Sequence, residues 1–156
     1  TGKNFLHETA YRIPMLLRWP EKIAKGISSE DMISTIDFMP TVLELMGIQK
    51  SGKELGQSAA SFLEGKEKKK PEENIVFTHP YGNERVAVFT PEWELGFDYH
   101  GEPILYDRIK DPEQTKNRYN DPECADIVAE LRKKMDEHYA EYCPRVAEWL
   151  PGQKGF

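Results

Sequence analysis

Between Ile75 and Tyr106 the chain carries four short strand-like runs, Ile75 to Thr78, Arg85 to Phe89, Trp93 to Tyr99 and Pro103 to Tyr106. The gaps between them are too short for the crossover that a parallel pair needs, so the spacing predicts an antiparallel meander. In the third run Trp93, Leu95, Phe97 and Tyr99 share one face, with Glu94, Gly96 and Asp98 on the other. Such a sheet has a greasy face that must be covered. The cover follows in sequence: Asp121 is placed to cap a helix, Pro122 fits its first position, and Ile127, Val128, Leu131, Met135, Tyr139 and Tyr142 form one stripe until Pro144. That stripe has the helical period and predicts a long helix lying on the meander.

Upstream the pattern is different. Ile13, Pro14, Met15, Leu16 and Leu17 form a continuous apolar run between Arg12 and Arg18, which predicts a buried strand of an α/β sheet. A helix follows, with Asp37 as expected N-cap, Pro40 in the first turn, Phe38, Val42 and Leu45 on the buried face and Gly47 as the stop. One strand and one helix cannot satisfy both edges of such a sheet, so its other strands are expected from outside these residues. From Gln49 to Asn74 the chain turns to Gly, Ser and Lys, with Lys66, Lys68, Lys69 and Lys70 set among acids, the pattern of a solvated loop or linker.

Length and charge narrow the function. The 156 residues suffice for one core and carry a formal net charge of −6, so a nucleic acid would be repelled unless a local basic patch intervened. No apolar run approaches the roughly 18 residues of a membrane-spanning helix, and no signal-peptide pattern opens the chain. Neither a nucleic acid nor a membrane is expected as a partner. Cys124 and Cys143 are too few for a disulfide framework and leave the compartment open.

Several motifs recur in a recognisable order. Lys3, Glu8, Arg12, Pro14, Arg18-Trp19-Pro20 and Lys22-Ile23 are followed by Ser34, Asp37, Pro40-Thr41, Leu43 and Gly47. Next come Gly56, Ser58 and Phe62 to Gly65, then Leu105-Tyr106-Asp107, Asp111-Pro112-Glu113, Asn117 and Asp121-Pro122. From residue 2 to about residue 140 this set resembles the C-terminal portion of the sulfatases of the alkaline phosphatase superfamily. The resemblance implies that residues 1–65 end an α/β catalytic domain, that 66–73 are a charged linker or loop, and that 74–156 form an α+β subdomain with a small antiparallel sheet and a covering helix. The chain then reads as the last third of a longer enzyme, exported or lysosomal like many of its kind.

The resemblance also implies site residues. Lys3 matches a Lys that contacts the sulfate, where a compact ammonium can neutralise charge developing on a sulfate oxygen. His7 stands where the family usually has Tyr; it either packs and caps or reads a substrate group. Glu8 and Arg12 are spaced for a structural ion pair. His79, Tyr81 and Arg85 sit around a turn that could face the cleft, and His79 and Arg85 are candidate substrate-binding residues beside ordinary turn and sheet roles. The family's formylglycine nucleophile and its Ca²⁺ are expected outside this chain, which supplies no metal ligand of its own. Cys143-Pro144-Arg145 lacks the formylglycine spacing, and Asp98 to Glu102 reads as a strand end and turn rather than a metal region.

The expected function is hydrolysis of a sulfate ester or sulfamate, with a sulfated carbohydrate or other small molecule and the N-terminal sulfatase domain as partners. By itself the chain is expected to be inactive. Two rivals remain: a phosphatase or phosphonate hydrolase of the same superfamily, and a non-catalytic interaction module, which an open patch around Trp93 and Trp149 would favour.

Overall fold

The computed structural model describes residues 6–54, 56–67, 75–79, 85–98 and 101–142, without the side chains of 75–79 and 139–142. Along the chain lie α1 (Glu8–Tyr11), a 3-10 turn at Thr35–Asp37, α2 (Phe38–Leu45), α3 (Ala60–Leu63) and the strands β1 (Ile75–His79), β2 (Arg85–Phe89), β3 (Trp93–Asp98) and β4 (Ile104–Asp107). A 3-10 turn at Pro122–Cys124 then leads into α4 (Ala125–Tyr142). The elements fall into two compact units, residues 14–75 in one, and residues up to 13 with those from 76 onward in the other.

The four strands form one sheet in the order β1-β2-β3-β4. Strand β3 pairs antiparallel with both β2 and β4, in a register that sets Val86 opposite Phe97, Val88 opposite Leu95 and Leu95 opposite Leu105. These five side chains are buried with Cys124, Leu131 and Met135 of the helical segment, and Trp93, Tyr119, Ile127 and Val128 pack around them. The described part of the expected stripe, Ile127 to Met135, thus covers the expected face at Trp93, Leu95 and Phe97, and each fully buried side chain contributes about 1.5–3 kcal/mol. Helix α4 starts as its sequence predicts, with the Asp121 carboxylate accepting the Glu123 N–H at 3.0 Å and Pro122 in the first turn. Past β4 the chain folds back on the sheet edge. The Arg118 N–H donates to the Leu105 carbonyl at 2.8 Å, and Asn117 Oδ1 accepts the Leu105 N–H at 2.9 Å, so this edge is not open for pairing.

The opposite face of the sheet departs from the alternation. Glu94, on the face opposite Leu95 and Phe97, is also fully buried, because Leu6 and α1 lie over that side. Gly96 makes the seat: a β-carbon there would stand 2.9 Å from Leu6 Cδ1 and 3.0 Å from Ile104 Cγ1. Tyr11 continues the cover, with its ring 6.4 Å from that of Phe89.

In the unit of residues 14–75, Asp37 is the organising residue. It takes the expected N-cap position of α2, but its side chain serves the preceding 3-10 turn and a distant loop instead of capping the helix: one carboxylate oxygen accepts the Ser34 N–H while the other accepts the Gln57 N–H, each at 2.9 Å. Thr41 Oγ1 donates to the Asp37 carbonyl at 2.5 Å and accepts the Ala59 N–H at 2.9 Å. The buried face of α2 is therefore Pro40, Thr41 and Leu45, packed toward α3, while Phe38, expected inside, is 52% exposed. Gly47, with φ +70, ends the helix as expected. The run Ile13 to Leu17 is not a strand: Leu16 is 95% exposed. A ladder needs a neighbour, and among the described residues the strands that exist pair with one another.

Candidate functional site

The segment Leu6 to Ala10 and the end of β3 enclose a concavity of ≈ 400 Å³, to which His7, Asp98, Glu102 and Tyr106 contribute polar side chains and Leu6 and Ile104 apolar ones. His7 precedes α1 in extended backbone, and its Nδ1 lies 2.9 Å from Thr9 Oγ1. Asp98 is the last residue of β3, and the Gly101 N–H donates to its carbonyl at 3.2 Å, the strand end and turn expected from the sequence. Arg85 is directly opposite Asp98 in the register, and its Nε donates to Asp98 Oδ2 at 2.5 Å. This pair is almost wholly withdrawn from solvent on the Arg85 side, whose side chain is 9% exposed.

Of the candidate residues, His7 lies on the concavity and Arg85 reaches it through Asp98. His79 ends β1, but its side chain lies outside the described residues, as do Lys3, Tyr81, Cys143 and Trp149. Glu8 is an ion-pair residue. Arg108 Nη2 and Nε reach its two oxygens at 2.7 Å and 3.0 Å, with Arg12 Nη1 farther off at 3.7 Å. The Arg108 hydrogen bonds hold the Glu8 carboxyl below its ordinary range against the opposing effect of burial.

Behind this pair sits a buried carboxyl that the sequence reading does not single out, Glu94. Glu94 Oε2 accepts from Gln114 Nε2, and Gln114 Oε1 accepts the Glu8 N–H at 2.6 Å. Glu94 Oε1 is buried with no hydrogen-bond partner among the described residues. Burial pushes the Glu94 carboxyl up to about 7, helped by the neighbouring Glu8 charge and opposed by Gln114 and Arg108. No local signal marks Glu94, since its burial depends on a segment far away in sequence.

Chemically, the concavity presents an imidazole, two carboxyl groups and a phenol beside apolar carbons. These groups accept and donate hydrogen bonds to the hydroxyls of a polar ligand. No group of three or more His, Cys, Asp or Glu able to hold a cation occurs among the described residues. The formylglycine pattern is likewise missing from the sequence.

Residues 2–141 match the family described as N-sulphoglucosamine sulphohydrolase, C-terminal. Among curated proteins, the chain is 26% identical over 151 residues to an N-acetylglucosamine-6-O-sulfatase of Bacteroides thetaiotaomicron, covering 90% of this chain and 27% of that protein. It is 25% identical over 171 residues to human steryl-sulfatase, covering 86% of this chain and 30% of that one. A solved structure in complex with its substrate D-glucosamine-2-N,6-O-disulfate superposes with a TM-score of 0.75 at 21% identity, over 97% of this chain and 32% of that one. A putative sulfatase of Bacteroides thetaiotaomicron gives 0.60 at 30% identity, over 67% and 24%. The chain thus spans roughly a quarter to a third of the length of these relatives. Its fold is that of the C-terminal part of alkaline phosphatase-like sulfatases, and the chain belongs to the N-sulphoglucosamine sulphohydrolase C-terminal family.

Proposed function

We propose that this chain is the C-terminal portion of a sulfatase that hydrolyses a sulfate ester or sulfamate of a carbohydrate. The match along residues 2–141 carries the reading, and the names of the relatives, among them an N-acetylglucosamine-6-O-sulfatase, support a sulfated sugar as substrate. Lys3 contributes its ammonium to the sulfate oxygens, where a fixed positive charge stabilises the charge that develops as the S–O bond breaks. His7, His79 and Arg85 are the substrate-binding residues on this side of the cleft. His7 reads a sugar hydroxyl from the concavity, and Arg85 acts through its grip on Asp98. Formylglycine and Ca²⁺ are the family's reactive groups, and their residues lie outside these 156, so the chain alone turns nothing over.

The test is sulfate release from 2-O-, 6-O- and N-sulfated glucosamines by the full-length polypeptide that contains this chain, with and without Lys3→Ala. Release by the parent, reduced about 10²- to 10³-fold in kcat/KM by the substitution, is expected. Cleavage of phosphate or phosphonate monoesters with no sulfate release overturns the reading and favours the phosphonate hydrolase side of the superfamily. One phosphonate monoester hydrolase, from Agrobacterium radiobacter, shares the fold at a TM-score of 0.51 and 19% identity.

A further inference from the structure

We infer that Gln114 and Glu94 form a proton-sensitive latch that seats the Leu6 to Tyr11 segment on the sheet and thereby positions His7 at the concavity. Gln114 is a non-glycine residue with φ +54, in the left-handed region that side chains rarely occupy. Backbone strain of this kind persists only where its surroundings enforce it. Here the turn enforces it. The Gln114 N–H donates to the Asp111 carbonyl at 2.9 Å, and the Asp111 carboxylate accepts the N–H groups of Thr115 at 3.1 Å and Lys116 at 2.8 Å. The strained geometry delivers one buried amide between two partners, the Glu94 carboxyl on β3 and the Glu8 N–H at the start of α1. Both ends of the amide are used, so its orientation is fixed by the network.

The proton enters through Glu94. The groups that interact with it electrostatically are Glu8 and Tyr11 from α1, and Tyr106 and Arg108 from β4 and the turn after it. The Arg108 guanidinium is already shared between the Glu8 carboxylate and the Thr90 carbonyl. With Glu94 protonated, one carboxylate faces that cation and the pocket is balanced. With Glu94 ionised, two carboxylates share it, and Oε1 carries charge without a hydrogen bond in a site closed to water. The relief is to lift Leu6 to Tyr11, which hydrates Glu94 and withdraws His7. Burial already holds the Glu94 carboxyl near neutrality, which puts this change within the physiological range. The importance of His7 to a ligand rests on the function proposed above; the latch does not.

Hydrogen exchange of the Leu6 to Arg12 amides in the full-length protein, corrected for the intrinsic effect of pH, reads the latch without any turnover. Protection is expected to fall about tenfold between pH 6 and pH 8, because each pH unit between the carboxyl's midpoints in the lifted and the seated segment favours lifting tenfold, and the effect levels off above the seated midpoint. Glu94→Gln, isosteric and always neutral, is expected to keep protection at both pH values. Gln114→Ala is expected to lose it at both while the β2 amides stay protected. Equal wild-type protection at pH 6 and pH 8, or a pH dependence that survives in Glu94→Gln, overturns the latch. A working latch in a protein that releases no sulfate overturns only the proposed function.

Discussion

Arg108 grips both oxygens of Glu8, Nη2 to Oε1 at 2.7 Å and Nε to Oε2 at 3.0 Å, and so ties the first helical turn to the residue that follows β4. Each side chain is 14% exposed, so this planar two-point contact is mostly shielded from water. Arg108→Ala is expected to cost about 2–4 kcal/mol in urea unfolding, because Glu8 is left half-buried without its cation. Arg108→Lys is expected to restore less than half, since the contacts use three separate nitrogens of a planar fork and an ammonium has one. Full recovery by Lys would contradict the two-point role.

Two carboxyl groups, displaced in opposite directions, shape the response to pH. Glu8 titrates below its unfolded range, so its contribution is present above that range and disappears as acid protonates it. Glu94 is raised from 4.5 to about 7, so the stability it permits is complete below pH 4.5 and is lost as pH rises through 7. The loss is on the order of 3 kcal/mol, since a tenfold change in proton affinity between the folded and unfolded chain is worth about 1.4 kcal/mol. Melting temperatures of the wild-type chain are expected to decline from mildly acidic pH to pH 8, and Glu94→Gln to flatten that decline while leaving the acid limb in place.

Gly56 packs against the Ile36 backbone and against the Asp37 carboxylate, which its two N–H donors hold in place. Its φ is +85, and a β-carbon there would lie 2.7 Å from both the carbonyl carbon and oxygen of Ile36 and 2.8 Å from Asp37 Oδ1. None of these can swing aside, so Gly56→Ala is expected to cost more than about 2 kcal/mol. Gly52, at φ +80 with nothing within 4 Å, is the control: its Ala variant carries only the dihedral cost, about 1 kcal/mol. Urea midpoints that move equally in both variants would rule out the steric account.

Asp37 is expected to tolerate no replacement. Asp37→Ala leaves the N–H groups of Ser34 and Gln57 without their acceptor, a loss of about 2–4 kcal/mol. Asp37→Asn offers one oxygen where two donors converge, so calorimetry is expected to show less than half of the loss recovered.

Much of the fold was legible because strand and helix periods are local properties. The meander emerges at the expected places, and Leu131 and Met135 of the helical stripe meet Leu95 and Phe97 as the alternation requires. The apolar run at Ile13 to Leu17 misled, since it encodes a wish for neighbours that strands elsewhere would have to meet. Phe38 misled for a related reason: helical spacing locates a stripe, and the bonds of Asp37 and Thr41 to Gln57 and Ala59 turn the helix so that another stripe is inside. Around the concavity, His7 is named through the family resemblance and Arg85 through its place beside a turn, but nothing local shows that Asp98 links Arg85 to the concavity.

By itself the sequence determined the local order, strands then a capped helix, and the ordered motifs that identify the family. Only the tertiary structure decided that Glu94 is buried, that Gln114 adopts a left-handed backbone to reach it, and that Glu8 belongs to Arg108. The reason is distance along the chain. Periodicity reports which face a side chain takes, whereas the cover of that face comes here from Leu6 over Gly96, and no local pattern connects residues so far apart.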